Sequence, residues 1–192
     1  MMTRMDAKRQ EENDFTVKLR VNAQPDVEAF VEIDKASGNV LTGRGSGIID
    51  LEAGDDRFSI NGDYILNSGS YTFVAMGLVR KDFQIEDGSS IRFNGDIMNS
   101  TLDINAVYRT KASLSTLLAD EESVSNKRNV NCGISITERL SNPELTFSIQ
   151  IPDLNPMIQS RVESALSTED KVQKQFLSLI VSNNFLPDEQ SG

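Results

Sequence analysis

Leu102-Asp103-Ile104-Asn105-Ala106-Val107-Tyr108 is the stretch that decides the fold. Successive side chains of a strand point to opposite faces, so Leu102, Ile104, Ala106 and Tyr108 share one side. Asp103, Asn105 and Arg109 take the other, with Val107 among them. The same period recurs on either side. Upstream lie Ile91 and Phe93, Leu78 to Ile85, then Tyr71, Phe73 and Ala75, and before them Phe58, Ile60, Tyr64 and Leu66. Asn67-Ser68-Gly69-Ser70 and Glu86-Asp87-Gly88-Ser89 punctuate these runs and read as turns in a weak repeat. Asn61-Gly62-Asp63 and Asn94-Gly95-Asp96 read as tight turns or bulge sites.

Val40 to Leu51 carries Gly43, Gly45 and Gly47 on the face of Ile49 and Leu51. Glycines in that row imply a bend, a bulge or close packing, or else a notch left open for a ligand chain. Further upstream, Phe15, Val17, Leu19 and Val21 form one alternating run. Val27, Ala29, Val31 and Ile33 form another, with Phe30 opposite and Pro25-Asp26 between the two. Downstream, Ala112 to Leu118 is a short helix candidate before a polar loop at 119–129. Val130, Cys132, Ile134 and Ile136 make one more strand, and Leu145, Phe147, Ile149 and Ile151 the last, entered through Asn142-Pro143. After Pro152 the period becomes helical: Ser167 or Thr168 caps a helix from Glu169 whose Val172, Phe176, Leu179 and Ile180 share a face. The division expected is a polar lead-in at 1–13 and a β domain at 14–152 with a short helix and loop near 111–129. A helical segment at 153–186 and a polar tail at 187–192 complete it. Short strands at regular spacing with turn signals predict a mainly β fold, a meandering antiparallel sheet or open barrel with a C-terminal helix.

Composition narrows the chemistry. The chain has 192 residues, 38% hydrophobic and 25% charged, which suits one domain with a sizeable core. Lys plus Arg number 19 against 29 Asp plus Glu, a net charge of −10. Such a chain repels phosphate backbones and shows no basic stripe, which argues against nucleic acid. There is no histidine, which removes Ser–His and Cys–His catalysis and the usual zinc sites. Cys132, the single cysteine, sits in an apolar row and reads as a small buried hydrophobe. Gly54-Asp55-Asp56 lacks further carboxylates at calcium-loop spacing. Gly43-Arg44-Gly45-Ser46-Gly47 lacks the ending of a phosphate loop. No catalytic residue, cofactor or metal is expected. No transmembrane run or signal peptide is visible, so the chain is either cytoplasmic or a piece of a longer exported or anchored protein.

The segments GDYILNSGSYTF (62–73) and KDFQIEDGSSIRFNGDIMNSTLDINAVYRTKASL (81–114) resemble the TamB family of AsmA-like envelope proteins. Gly88, Ser89, Ile91, Phe93, Gly95, Leu102, Ile104 and Ala106 stand where the family pattern places them, over a resemblance spanning about 40–185. The strands VNCGISIT (130–137) and LTFSIQIP (145–152) and the helix QKQFLSLIV (173–181) follow in family order. Gly95-Asp96-Ile97 departs from the family's Gly-Asp-Pro, and VYRTKASL is similar to Bacteroidetes-type members. The resemblance implies a curved, half-open antiparallel sheet, a β-taco, with an apolar concave face. It also implies a periplasmic location within an inner-membrane-anchored protein whose anchor lies outside this sequence. The implied partners are phospholipid acyl chains and a BamA-like outer-membrane barrel of TamA type. The groove would be lined by Tyr71, Phe73, Ile91, Phe93, Leu102, Ile104, Ala106, Tyr108, Ile134, Ile136, Phe147 and Ile149.

Two functions fit. One is a holder or conduit for lipid, moving phospholipid between the inner and outer membranes and serving outer-membrane protein assembly. The other is an interaction module that docks the barrel or templates outer-membrane strands by β-augmentation. Apolar alternation alone also describes an ordinary closed core, and a groove needs the same residues with one side uncovered.

Overall fold

A computed structural model describes residues 15–120 and 126–189. The expected lead-in at 1–13, the last residues of the tail and the middle of the 119–129 loop lie outside the described residues. Strands β1 (Val17–Asp34), β2 (Asn39–Ala53), β3 (Phe58–Ala75), β4 (Val79–Ile85), β5 (Ser89–Ser113), β6 (Lys127–Arg139) and β7 (Asn142–Gln150) follow one another in a single antiparallel sheet. Helix α1 (Ser115–Leu118) comes between β5 and β6. Helices α2 (Pro156–Ala165) and α3 (Glu169–Ser182) end the chain. The fold is mainly β, as the period predicts.

Strand β5 reverses direction within itself. It pairs antiparallel with β3 over Ser89–Gly95 and antiparallel with β4 at Ala106 and Val107. Since β4 is already antiparallel to β3, the chain must turn back between those two pairings. Gly95, at a φ of 91° that favours glycine, stands at the reversal, and the Asp96 carboxylate accepts the Met98 N–H at 2.8 Å. The sheet therefore has eight arms.

The Gly-Ser segments at 67–70 and 86–89 are not chain reversals. Asn67 is a bulge residue within β3, because Arg44 pairs with Ser68 and Gly45 with Leu66. Gly88 donates its N–H to the Leu66 carbonyl at 3.1 Å, and the Asn67 amide donates to Asp87 at 3.0 Å. On the other flank, β1 is one strand rather than two, with Pro25 and Asp26 inside a register shift between Ala23 and Val27. All these irregularities fall beside the rung Val27–Gly45–Leu66–Ser89. Bulges kink a strand and increase its twist, so together they crease the sheet along one line.

The glycines of β2 sit on that crease. A Cβ on Gly45 would meet the Ile65 carbonyl, one on Gly47 the Asp63 carbonyl, and one on Gly43 the Leu66 side chain. Tyr64 on β3 reaches across β2 to donate its hydroxyl to the Val27 carbonyl of β1 at 2.6 Å. Its ring must cross β2 where Gly45 and Gly47 offer no side chain. The row is therefore filled by close packing and is not an open notch.

On the convex face, directly paired residues form cross-strand ion pairs: Arg20–Asp50 at 2.7 Å, Arg92–Asp63 at 2.9 Å, Lys18–Glu52 and Arg44–Glu28 both at 3.5 Å. The Arg20 guanidinium holds the Asp50 carboxyl below its ordinary range, chiefly through their hydrogen bond. On the concave face, the ring centroids of Phe73 on β3 and Phe147 on β7 are 5.8 Å apart. Strands so distant in sheet order touch only because the sheet curls into a partial ring.

The C-terminal segment fills one part of this ring. Asn155 caps α2, with Pro156 in its first turn, and the Thr168 hydroxyl caps α3 by accepting the Lys171 N–H at 3.3 Å. Glu169 and Asp170 sit in the first turn of α3, where the helix dipole favours anions. Phe176 projects among Phe73, Phe83 and Phe147, its ring 4.5 Å from Phe147 and stacked at 5.8 Å on Phe83.

Candidate apolar groove

Pairing places the predicted groove residues on one face. Ile104 stands opposite Ile136, Ala106 opposite Ile134, and Tyr108 opposite Cys132. Ile134 in turn faces Phe147, and Cys132 faces Ile149. Ile91 pairs with Tyr64, Phe93 with Gly62, and Tyr71 with Phe83. Leu102 and Phe73 keep the same parity, and all belong to or pack on one core cluster.

Most of that face is closed. Tyr71, Phe73, Ile91, Leu102, Ile104, Ala106, Ile134 and Ile136 are buried, while Phe93, Tyr108, Phe147 and Ile149 are half-buried. Helix α3 supplies the cover, through Phe176, Leu179 and Ile180, which have no exposed surface. At its C-terminal end, the Asn183 side-chain oxygen accepts from the Tyr108 hydroxyl at 3.0 Å and the Thr110 hydroxyl at 2.7 Å. Burial pushes the Cys132 thiol up to about 12, so it is an inert thiol. Burial also raises Tyr71, with the Asp34 carboxylate adding to the effect.

The other side of the crease is different. Three rungs of the concave face run Val17–Ala53–Phe58, Leu19–Leu51–Ile60 and Val21–Ile49–Gly62–Phe93. Leu19 and Phe58 are each 55% exposed and Val21 42%, while Leu51, Ile60 and Phe93 are half-buried. Leu51, Ile60 and Phe93 pack against the edge of the core, and Leu19, Val21 and Phe58 lie outside it. They continue the enclosed face through Tyr64, Ile91 and Leu66, with Ser89 beside Leu66. The strip is flanked by the ion pairs Lys18–Glu52 and Arg20–Asp50, which project to the convex side. Sequence reasoning had Leu19, Val21, Phe58 and Ile60 in alternating strands but not in the groove. The signal that separates them is their distance along the chain from the helix that covers the rest.

The sheet ends on β1 and β7, whose outer edges have no strand partner among the described residues. Where the curl brings them together, a cleft of about 590 Å³ opens between Glu32–Lys35 of β1 and its turn, and Leu140, Pro143 and Leu145 of the β6–β7 hairpin.

Among known protein families, the TamB C-terminal domain matches residues 3–192. Comparison with curated proteins and with solved structures finds no match.

Proposed function

The chain belongs to the TamB family, whose C-terminal domain serves envelope biogenesis and outer-membrane protein assembly, and on that footing we propose that its concave face is a non-enzymatic groove for phospholipid acyl chains. The observation that carries this reading is the uncovered strip of Leu19, Val21, Leu51, Phe58, Ile60 and Phe93. An apolar strip left open to water is unfavourable, and a filled one is not. Each methylene that leaves water for such a surface gains about 0.8 kcal/mol, so an acyl chain is held without headgroup recognition. The charged convex face keeps the opposite side of the sheet in water, which orients the lipid to one face only. Among the described residues no helix is long and apolar enough to cross a membrane. In this proposal the chain works between the membranes, in the periplasm, beside a TamA-type barrel.

Native mass spectrometry of the chain purified from bacterial membranes tests the proposal. Phospholipid adducts that survive gentle ionisation support it; a clean apo mass at every lipid load sinks it.

The free edges of β1 and β7 favour a second reading, addition of a strand from an outer-membrane protein. Pro25 lacks an N–H and sits midway along the β1 edge, which restricts continuous pairing to one part of that strand. An edge-strand peptide that binds and protects β1 amides from hydrogen exchange supports this reading; no protection removes it.

A further inference from the structure

We propose that α3 and the segment behind it, Asn183–Glu189, form a latched cap that sets how much of the concave face is open. Docked, the cap confines the groove to the strip near Leu19 and Phe58. Undocked, it extends the groove across the crease to the aromatic floor of Phe73, Phe83 and Phe147. This rests on the reading of that face as an acyl-chain groove.

The floor and the strip are one surface. Its rungs pass from Leu19–Leu51–Ile60 through Ala23–Gly47–Tyr64–Ile91 and, across the register shifts of the crease, to Leu41–Tyr71–Phe83. Over the floor, the cap closes it together with the curl that sets Phe147 against Phe73. The cap's hold on the sheet is apolar, through Phe176 and its neighbours, plus two hydroxyl hydrogen bonds to Asn183 at 3.0 and 2.7 Å. Among the described residues, the ion pairs of the C-terminal segment do not reach the sheet. Lys171–Asp188 and Lys174–Glu189 join α3 to its own tail, and Arg161–Asp120 joins α2 to the end of α1.

The tail is fastened to the helix by bonds of its own. The Gln175 side chain is 5% exposed, donates to the Leu186 carbonyl at 3.0 Å and accepts the Leu186 N–H at 2.8 Å. The Ser178 hydroxyl donates to the Asn184 carbonyl at 2.7 Å, and Phe185 is buried. Helix and tail therefore move as one body. Between α2 and α3, residues 166–168 form a short non-helical link, the place where such a body pivots. In water the bare floor disfavours the undocked state. An acyl chain that binds the floor stabilises that state by its differential affinity, so lipid opens the cap.

The test uses the whole chain with Thr110→Cys and Asn183→Cys, whose oxidation pins the end of α3 to β5, in a Cys132→Ala background, because Cys132 lies diagonally across from Thr110 on β6. The probe is cis-parinaric acid, followed by its fluorescence and by hydrogen exchange. The expected result is that the probe speeds exchange in α3 by about tenfold while β6 stays protected. Oxidation should abolish that change and lower the probe bound per chain, and reduction should restore both. Equal probe binding by pinned and free protein, with α3 exchange unmoved, overturns the cap while leaving the open strip intact, provided Leu19→Glu still weakens binding. Absence of probe binding in every form removes the groove reading instead. The cap is then decided in the apo protein, where α3 must exchange at least tenfold faster than β6 and slow on pinning; exchange of α3 only together with β6 overturns it.

Discussion

Phe176→Ala measures how far α3 belongs to the core. The ring has no exposed surface and lies within 4.5 to 6.2 Å of the Phe147, Phe83 and Phe73 centroids. Truncation removes the transfer energy of the ring and leaves a cavity bounded by three other rings. Buried Phe→Ala changes cost about 3–5 kcal/mol, part of it the offset-stacked and edge contacts, each worth about 0.5–1.5 kcal/mol. The contacts share one ring, so they do not add. With a urea slope of about 2 kcal/mol per molar, the midpoint should fall by about 1.5–2.5 M. Phe58→Ala is the control: at 55% exposure it removes no enclosed ring, and its effect should stay below about 1 kcal/mol. Urea titration followed by far-ultraviolet circular dichroism reads both. A separate early transition in which helix is lost first means that α3 comes away as a unit, and the cost then stops at its docking energy. A single transition shifted by less than about 1 kcal/mol would falsify the packing of α3 on the aromatic floor.

Three further outcomes follow from burial. A charge at Ile104, which has no exposed surface, should unfold the domain, because an unpaired charge in a dry core costs several kcal/mol; a folded Ile104→Glu variant with unchanged melting would contradict the closed face. Gly47→Val should destabilise strongly, since its Cβ would meet the Asp63 carbonyl, whereas Gly88→Val, with nothing near, suffers only from its φ of 88°; equal losses at both sites would deny the close approach of β2 and β3. Cys132, pushed up to about 12, should resist Ellman's reagent until the chain unfolds. Its folded pKa lies above the unfolded value of about 8.5, so the unfolded chain sheds the proton first. Stability should then decline as pH rises beyond that value in the wild type, less steeply in Cys132→Ala, and matching slopes would refute the buried thiol.

The strands and their inward faces were legible from the period alone. Leu102, Ile104, Ala106 and Tyr108 do share a face with Ile134, Ile136, Phe147 and Ile149, and α3 begins after its Thr168 cap. What was not legible concerns neighbours. Asn67-Ser68-Gly69-Ser70 has the chemistry of a turn, and only its register against Arg44 and Gly45 makes it a bulge. Pro25 interrupts a ladder in any setting, but on an edge strand the chain runs on past it. Asn94-Gly95-Asp96 carries the true reversal with no louder signal than the false ones. Exposure along that face was not legible for a similar reason. Phe73 and Leu19 look alike in sequence, and which of them meets water depends on where a helix a hundred residues away comes to rest.

The most direct measurement of the central claim is phospholipid occupancy by native mass spectrometry in a Leu19→Glu, Phe58→Glu variant. Both side chains are more than half exposed, so the variant should stay folded, as circular dichroism must confirm. Thr146→Glu, on the exposed outer face of β7, is the matched control. If the open strip holds acyl chains, the double variant loses most of its bound lipid and the control keeps it. A folded double variant that carries as much phospholipid as the wild type would contradict the groove.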